Sequence, residues 1–276
     1  MLVNMNEVLA AVQTRGCCVG AFDTPNLEIL MAVIRAAEKR KEPVIIQHAQ
    51  LHEPEMALRV IGPLMVRMAK ESTVPGCVML DHGEDLDYVK KALDLGFSAV
   101  MYDGSSRPYE ENVRLTRETV AMAQEYGANV EAEIGIVTGH EGKEFVGGAY
   151  TDPELAAKYV KETGIDALAA SVGTVHGFYA AQPKLDFDRI VKIRELTGVP
   201  LVMHGGSGIS VEDTQKAIRC GIRKINYFSY MSNAGVKGVQ KLLEEKNVKY
   251  FHELANAAID AMEEDVLNAM AMFALE

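Results

Sequence analysis

Cysteine is scarce, with Cys17, Cys18, Cys77 and Cys220 the only four in 276 residues. They make no CxxC pair and no regular spacing, which excludes a disulfide framework and a thiolate zinc knuckle. Positive charge is also short, at 28 Lys plus Arg against 39 Asp plus Glu, for a net charge of −11. Nucleic acids and anionic membranes are bound through positive charge that displaces counterions or meets headgroups, so neither is an expected partner. No apolar run reaches membrane-spanning length, and the opening MLVNMNEVLAAVQTRG lacks the basic flank and apolar core of a signal peptide. The expectation is a reduced, cytoplasmic protein. Low-complexity tracts and composition shifts are missing too, which leaves residues 1–276 as one domain.

What the chain does have is a repeated alternation. After an amphipathic helix over 3–15, short apolar runs at 18–22, 43–47, 77–83, 98–105, 128–135, 166–173, 201–203 and 224–229 read as strands, each followed by a helical segment. Proline at 63 predicts a kink or restart in the third of these helices, over 55–72. Two helices end the chain, the last over 251–273, as a C-terminal extension. Parallel strands require crossovers, and eight βα units close into a (β/α)8 TIM barrel, an α/β fold.

In such a barrel the C-terminal ends of the strands share one rim. Asp23, Gln47, Asp81, His82, Asp103, Glu133, His176, His204, Asn226 and Ser229 all fall there. Three histidines at the ends of strands three, six and seven, with no cysteine at ligand spacing, have the make-up of a catalytic zinc site with one open position. The carboxylates Asp81, Asp103 and Glu133 supply acid/base groups or hydrogen-bond partners for the imidazoles, or else cap helices. Beside His204, Gly205, Gly206 and Gly208 bare the backbone around Ser207, so that successive N–H groups converge on one oxyanion. The 135–150 stretch is glycine-rich and without periodicity, the mark of a functional loop.

The blocks LDHG (80–83), YDGS (102–105), VEAEIG (130–135), VGTVHGFY (172–179), HGGSG (204–208) and KIN-x-x-S (224–229) resemble the metal-dependent class II ketose-bisphosphate aldolases. Six ordered blocks span nearly the whole chain. The resemblance implies His82, His176 and His204 as ligands of one Zn2+ per subunit, with Asp103 and Glu133 near an alternative metal location. It implies Asp81 as the base for the C4 hydroxyl proton and Glu141 as the acid that protonates the enediolate. Gly177, Gly205, Ser207, Asn226 and Ser229 then surround the phosphate of dihydroxyacetone phosphate, where a monovalent cation often assists in the family. Asp23 and Gln47 complete the substrate contacts. The partners implied are a phosphorylated sugar and further copies of the chain, in a homodimer or homotetramer.

The departures cluster on one side. Asp23 stands where the family usually has Asn, Ala49 replaces a hydroxyl and Phe228 a carboxylate of the fructose-bisphosphate branch, and His48, His52 and Glu53 are atypical. They leave the dihydroxyacetone-phosphate half intact, so the resemblance implies cleavage of a fructose- or tagatose-bisphosphate-like ketose as the default, with an atypical sugar phosphate of different aldehyde half, not necessarily bearing a second phosphate, as the rival. Two other readings are a non-catalytic sugar-phosphate-binding barrel and a Schiff-base aldolase. The first does not need Asp81 and Glu141, and the second needs a lysine at a strand end, whereas Lys224 is read at the start of strand eight.

Overall fold

The computed structural model describes residues 1–135, 150–179 and 182–276. In chain order the elements are α1 (Met5–Arg15), β1 (Val19–Asp23), α2 (Leu27–Arg40), β2 (Val44–Ala49), a 3-10 turn (Gln50–His52), α3 (Leu58–Glu71), β3 (Gly76–Gly83), α4 (Leu86–Asp94), β4 (Ala99–Tyr102) and α5 (Tyr109–Tyr126). There follow β5 (Asn129–Ile134), α6 (Pro153–Thr163), β6 (Ala167–Ala170), α7 (Phe187–Thr197), β7 (Leu201–Met203), α8 (Val211–Cys220), β8 (Ile222–Tyr227), α9 (Ser229–Glu245) and α10 (Phe251–Phe273). The strands are parallel and each pairs with the next, and β8 pairs with β1, closing the (β/α)8 barrel expected from the sequence.

Side chains alternate across a strand, so each strand serves two cores. One parity, including Phe22, Ile46, Leu80, Val100, Val130 and Leu168, packs outward against the helices. The other, including Ala21, Ile45, Met79, Met101, Ala169 and Val202, fills the barrel, and α1 plugs its lower end with Met5, Val8, Leu9 and Val12. α1 is held in place by a reciprocal capping box between Asn4 and Glu7. One step further up the inward parity the residues turn polar: Asp23, Gln47, Asp81, Glu131, Glu133, His204, Lys224 and Asn226, all buried.

Two local readings need correction. α3 starts at Leu58 and runs through Pro63 without a restart, and the segment before it forms the 3-10 turn. Pro63 lies within two turns of the helix start on the solvent side, where one missing hydrogen bond is cheaply made good by water. Lys224 is not the first residue of strand eight, since β8 begins at Ile222, and its side chain is fully buried inside the barrel. Among the described residues no helix is long and apolar enough to cross a membrane.

α10 packs along α2 and α9 and covers β1. Its Phe273 ring is buried edge-on to Tyr227, with centroids 6.1 Å apart, and its carbonyl accepts the Cys18 N–H at 3.1 Å. The last turn of the chain therefore seals the β8–β1 side of the barrel. Phe273→Ala is expected to lower unfolding stability by about 3 kcal/mol through lost burial and a residual cavity, read as a drop in the urea midpoint. A change within error would show that α10 is docked elsewhere.

Candidate active site

Two neighbouring side chains of a strand normally face opposite ways, yet Asp81 and His82 both line the same cavity. The reason is a break in β3. The register with β4 shifts between Leu80 and Gly83, and His82 adopts φ 43°, a left-handed conformation rarely taken by a residue with a side chain. That backbone costs on the order of 1–2 kcal/mol, and it swings the imidazole inward beside the carboxylate. The Nδ1 of His82 is 2.7 Å from Asp103 Oδ2, and Asp103 is steadied by Ser105, whose hydroxyl donates to its Oδ1 at 2.6 Å.

His204 follows β7 directly, and its Nε2 lies 2.9 Å from Glu131 Oε1, both side chains fully buried. The chain then reverses at Gly205 (φ 66°), where a Cβ would sit 2.1 Å from the Val175 carbonyl, so only glycine lets this turn press on the segment carrying His176. Tyr179 staples the two, accepting the Val175 N–H at 3.1 Å and donating to the Gly205 carbonyl at 2.7 Å.

The three imidazoles meet. Ring centroids are 4.7 Å apart for His82 and His204, 5.0 Å for His82 and His176, and 5.6 Å for His176 and His204. Ligand nitrogens from all three lie within 4.8 Å of one another. Asp103 sits at Nδ1 of His82 and Glu131 at Nε2 of His204, so the other ring nitrogen of each, His82 Nε2 and His204 Nδ1, is turned toward the centre. This carboxylate-oriented arrangement is how histidine ligands are commonly held. His82 Nε2 is buried without a hydrogen bond, and its nearest carboxylate oxygen, Asp81 Oδ2, is 3.7 Å away. An orphaned buried nitrogen among two neutral imidazoles fits a bound divalent cation. A second group, His82, Asp103 and Glu133, has the same compactness, as does the fully buried set Asp81, Glu131 and His204. In the last of these the cation is already supplied by the chain, because Lys224 Nζ is 2.8 Å from Glu131 Oε2.

The same ammonium donates to Asn226 Oδ1 at 2.8 Å. That contact settles the amide's orientation, so Asn226 Nδ2 points at Asp81 Oδ1 (3.0 Å) and lies 3.2 Å from His204 Nδ1. Gln47 Nε2 donates to the same Asp81 oxygen at 3.0 Å. Burial pushes the Asp81 carboxyl up, but its electrostatic attraction to the neighbouring groups, His82 foremost and Lys224 among them, outweighs this and holds it below the usual carboxylate range. Burial likewise pushes His82 down, and Asp81 and the hydrogen bond to Asp103 reverse this and raise it to about 10. His176 falls to about 3 through burial and the neighbouring imidazoles, and burial with the His82 charge takes His204 well below its ordinary value.

Asp23, Gly177, Gly205, Ser207, Asn226 and Ser229 line the cavity with these groups. Gln47 and Glu133 stand just behind, at the barrel centre and beside Asp103. Phe228 gives α9 no side-chain cap, and Ser207 Oγ does so instead by accepting the Phe228 N–H at 3.1 Å. Glu141 lies outside the described residues. Sequence reasoning missed Glu131, Lys224 and Tyr179 as parts of the site. The signal for the first two was the period of two, since Glu131 is two residues before Glu133 and Lys224 two before Asn226.

The family model for class-II fructose-bisphosphate aldolase matches residues 3–276. The chain is 42% identical to the fructose-bisphosphate aldolase of Geobacillus stearothermophilus over 282 aligned residues, covering 99% of this chain and 96% of that one. It is 37% identical to the 6-phospho-5-dehydro-2-deoxy-D-gluconate aldolase of Halalkalibacterium halodurans, covering 99% and 96%. The crystal structure of the YdjI aldolase from Escherichia coli K12 superposes with a TM-score of 0.89 at 34% identity, covering 99% and 97%.

A raised native pKa makes protonated His82 stabilising in the metal-free protein. That contribution is fully present below pH 6.5 and is lost as pH rises through about 10. Chelator-treated protein is expected to show a thermal midpoint that falls over this range, and His82→Gln a shallower fall. Parallel profiles for the two proteins would contradict it.

Proposed function

This chain belongs to the class-II fructose-bisphosphate aldolase family and is a carbon–carbon lyase of that metal-dependent class, and we propose that it cleaves a phosphorylated ketose reversibly into dihydroxyacetone phosphate and an aldehyde, with one Zn2+ per subunit. The observation that carries this reading is the convergence of His82, His176 and His204 beside the buried Asp81 carboxylate, next to a turn rich in backbone amides. His82 Nε2, His204 Nδ1 and a ring nitrogen of His176 would hold the metal, with Asp103 and Glu133 beside an alternative position. When bound there, a divalent cation supplies Lewis-acid stabilisation of negative charge on the oxygens at C2 and C3.

The residues do the rest. Asp81 takes the proton of the C4 hydroxyl as the C3–C4 bond breaks, the aldehyde forms at C4, and the bonding pair stays on C3 as an enediolate. Its carboxylate is kept ionised by the surrounding positive charge and aimed by Asn226 and Gln47, both bonded to Oδ1, which leaves Oδ2 facing the cavity. Glu141 is assigned the return of a proton to C3. Gly177, Gly205, Ser207, Asn226 and Ser229 are assigned to the phosphate, where amides at the start of α9 and in the 205–208 turn favour an anion and a monovalent cation completes the site. Asp23 borders the reacting carbons. A homodimer or homotetramer is part of the reading, supported by the exposed apolar residues Val236, Leu243, Tyr250 and Phe251 on α9 and the start of α10.

Dihydroxyacetone phosphate release from a panel of ketose mono- and bisphosphates, coupled to glycerol-phosphate dehydrogenase, tests the activity. Release from one member that stops with chelator and returns with zinc is expected. Asp81→Asn should keep its zinc and lose at least about 100-fold in kcat, and undiminished turnover would remove Asp81 from the proton transfer. Scattering at micromolar concentration is expected to give a dimeric or tetrameric mass, and a monomeric mass would count against the assembly.

A further inference from the structure

The two ends of the cavity differ in kind. At the phosphate end the lining is glycine, serine and the start of α9, which no carboxylate closes. The far wall is built by the turn after β2 and the segment after β3, with Leu51, His52 and Glu84 on its surface, and the ring of Phe228, between β8 and α9, leans onto it from the phosphate side. Leu51 is 49% exposed, and the buried His52 ring sits 5.3 Å from that of Phe228.

Behind the turn after β2 and the segment after β3, the starts of α3 and α4 are each closed by a carboxylate of the chain itself. Glu53 Oε2 accepts the N–H of Leu58, the first residue of α3, at 2.7 Å, and the Tyr88 hydroxyl at 2.7 Å. Asp85 Oδ1 accepts the Tyr88 N–H at the first turn of α4 at 2.7 Å, and its Oδ2 takes Gln50 Nε2 at 2.9 Å. His48 completes the layer, with Nε2 3.2 Å from the Tyr88 hydroxyl, and burial pushes it down to about 4, so it adds no charge at neutral pH. Asp23 and Glu84 add further carboxylates to the lining, and among the described residues no lysine or arginine lines the cavity. The wall therefore offers apolar faces, one imidazole and negative charge. It suits carbons and hydroxyls, and it repels a phosphate dianion.

We infer that the aldehyde half of the substrate rests against Leu51, His52 and Phe228 and carries no phosphate, so that the ketose cleaved is phosphorylated at C1 alone. The inference rests on the aldolase reading and narrows its substrate to ketose 1-phosphates. Leu51 and Phe228 bracket the carbon chain, and His52 meets a hydroxyl of the aldehyde half. In the synthetic direction the hydroxymethyl carbon of dihydroxyacetone phosphate gives up one proton and bonds to the aldehyde carbon. The aldehyde oxygen takes a proton, and no other atom is gained or lost.

The zinc-loaded protein separates this inference from its premise. Deuterium exchange into dihydroxyacetone phosphate alone, in heavy water, reports the phosphate half, and absence of exchange would sink the aldolase reading itself. With exchange in hand, condensation is compared for glyceraldehyde and glyceraldehyde 3-phosphate, and for glycolaldehyde and its phosphate. The expected result is a kcat/KM at least about tenfold higher for the unphosphorylated partner of a pair, and Leu51→Arg should shift that ratio about tenfold toward the phosphorylated one. Parity, a preference for the phosphorylated aldehydes, or no condensation with either unphosphorylated aldehyde overturns the inference. An unmoved ratio in Leu51→Arg overturns the placement of the aldehyde half on this wall.

Discussion

A single carboxylate inside the barrel, Glu131, fixes the geometry of everything above it. Its two oxygens are divided between His204 Nε2 at 2.9 Å and Lys224 Nζ at 2.8 Å, with all three side chains out of solvent. An ion pair so deep costs several kcal/mol of desolvation per charge, which its own attraction barely offsets. Stability alone does not explain it. What it supplies is direction: Glu131 dictates which nitrogen of His204 carries the proton, and Lys224, held by Glu131, dictates which way the Asn226 amide is turned. Asn226 in turn shares with Gln47 the task of pinning one oxygen of Asp81. The residues proposed as base, metal ligand and substrate contact, Asp81, His204 and Asn226, are thus set by one buried chain of contacts.

The scaffold offsets this cost below and around the site. The lower half of the barrel is wholly apolar and plugged by α1, and the outward parity of the strands packs on the ring of helices. The division between the two halves is a stepped level, because β5 and β8 each carry two inward polar residues, Glu131 with Glu133 and Lys224 with Asn226. Below that level the interior is a hydrocarbon core, which holds the strands rigid. Above it the polar layer inherits that rigidity, so the imidazoles are preorganised by strands more than by their own loops.

Much of this was legible in the sequence because strands and rim residues leave strong marks. Apolar runs separated by helical segments gave the eight βα units, and polar residues at their C-terminal ends gave Asp81, His82, His204 and Asn226. What escaped was the depth of the polar layer. Glu131 and Lys224 lie within apolar runs, where a charged side chain reads as a strand boundary, and only their pairing across the barrel makes the burial tolerable. The inward turn of His82 was not legible either, since parity alone points it at the helices. The far wall was visible only as departures, with His48, His52 and Glu53 out of pattern. Their joint arrangement with Tyr88 and Asp85 depends on α4 lying beside the turn after β2, which spacing along the chain does not reveal.

The contrast between the two ends of the cavity follows from how each is built. The end proposed for the phosphate uses main-chain amides, and these change little under substitution because their positions depend on turns such as the one at Gly205, where any Cβ would strike the Val175 carbonyl. The far wall uses side chains on a short 3-10 turn and on Phe228, which are free to vary without disturbing a strand. A barrel made this way keeps its reaction fixed at the strand ends while the wall facing the second product stays open to replacement. In this chain that wall has been filled with leucine, phenylalanine, histidine and carboxylates, and the helix starts that would attract another anion are already taken by Glu53 and Asp85. The field inside the cavity therefore runs in one direction, from an amide-lined end that accepts negative charge to a carboxylate-backed end that does not, and a substrate with a single charged terminus enters it in one orientation.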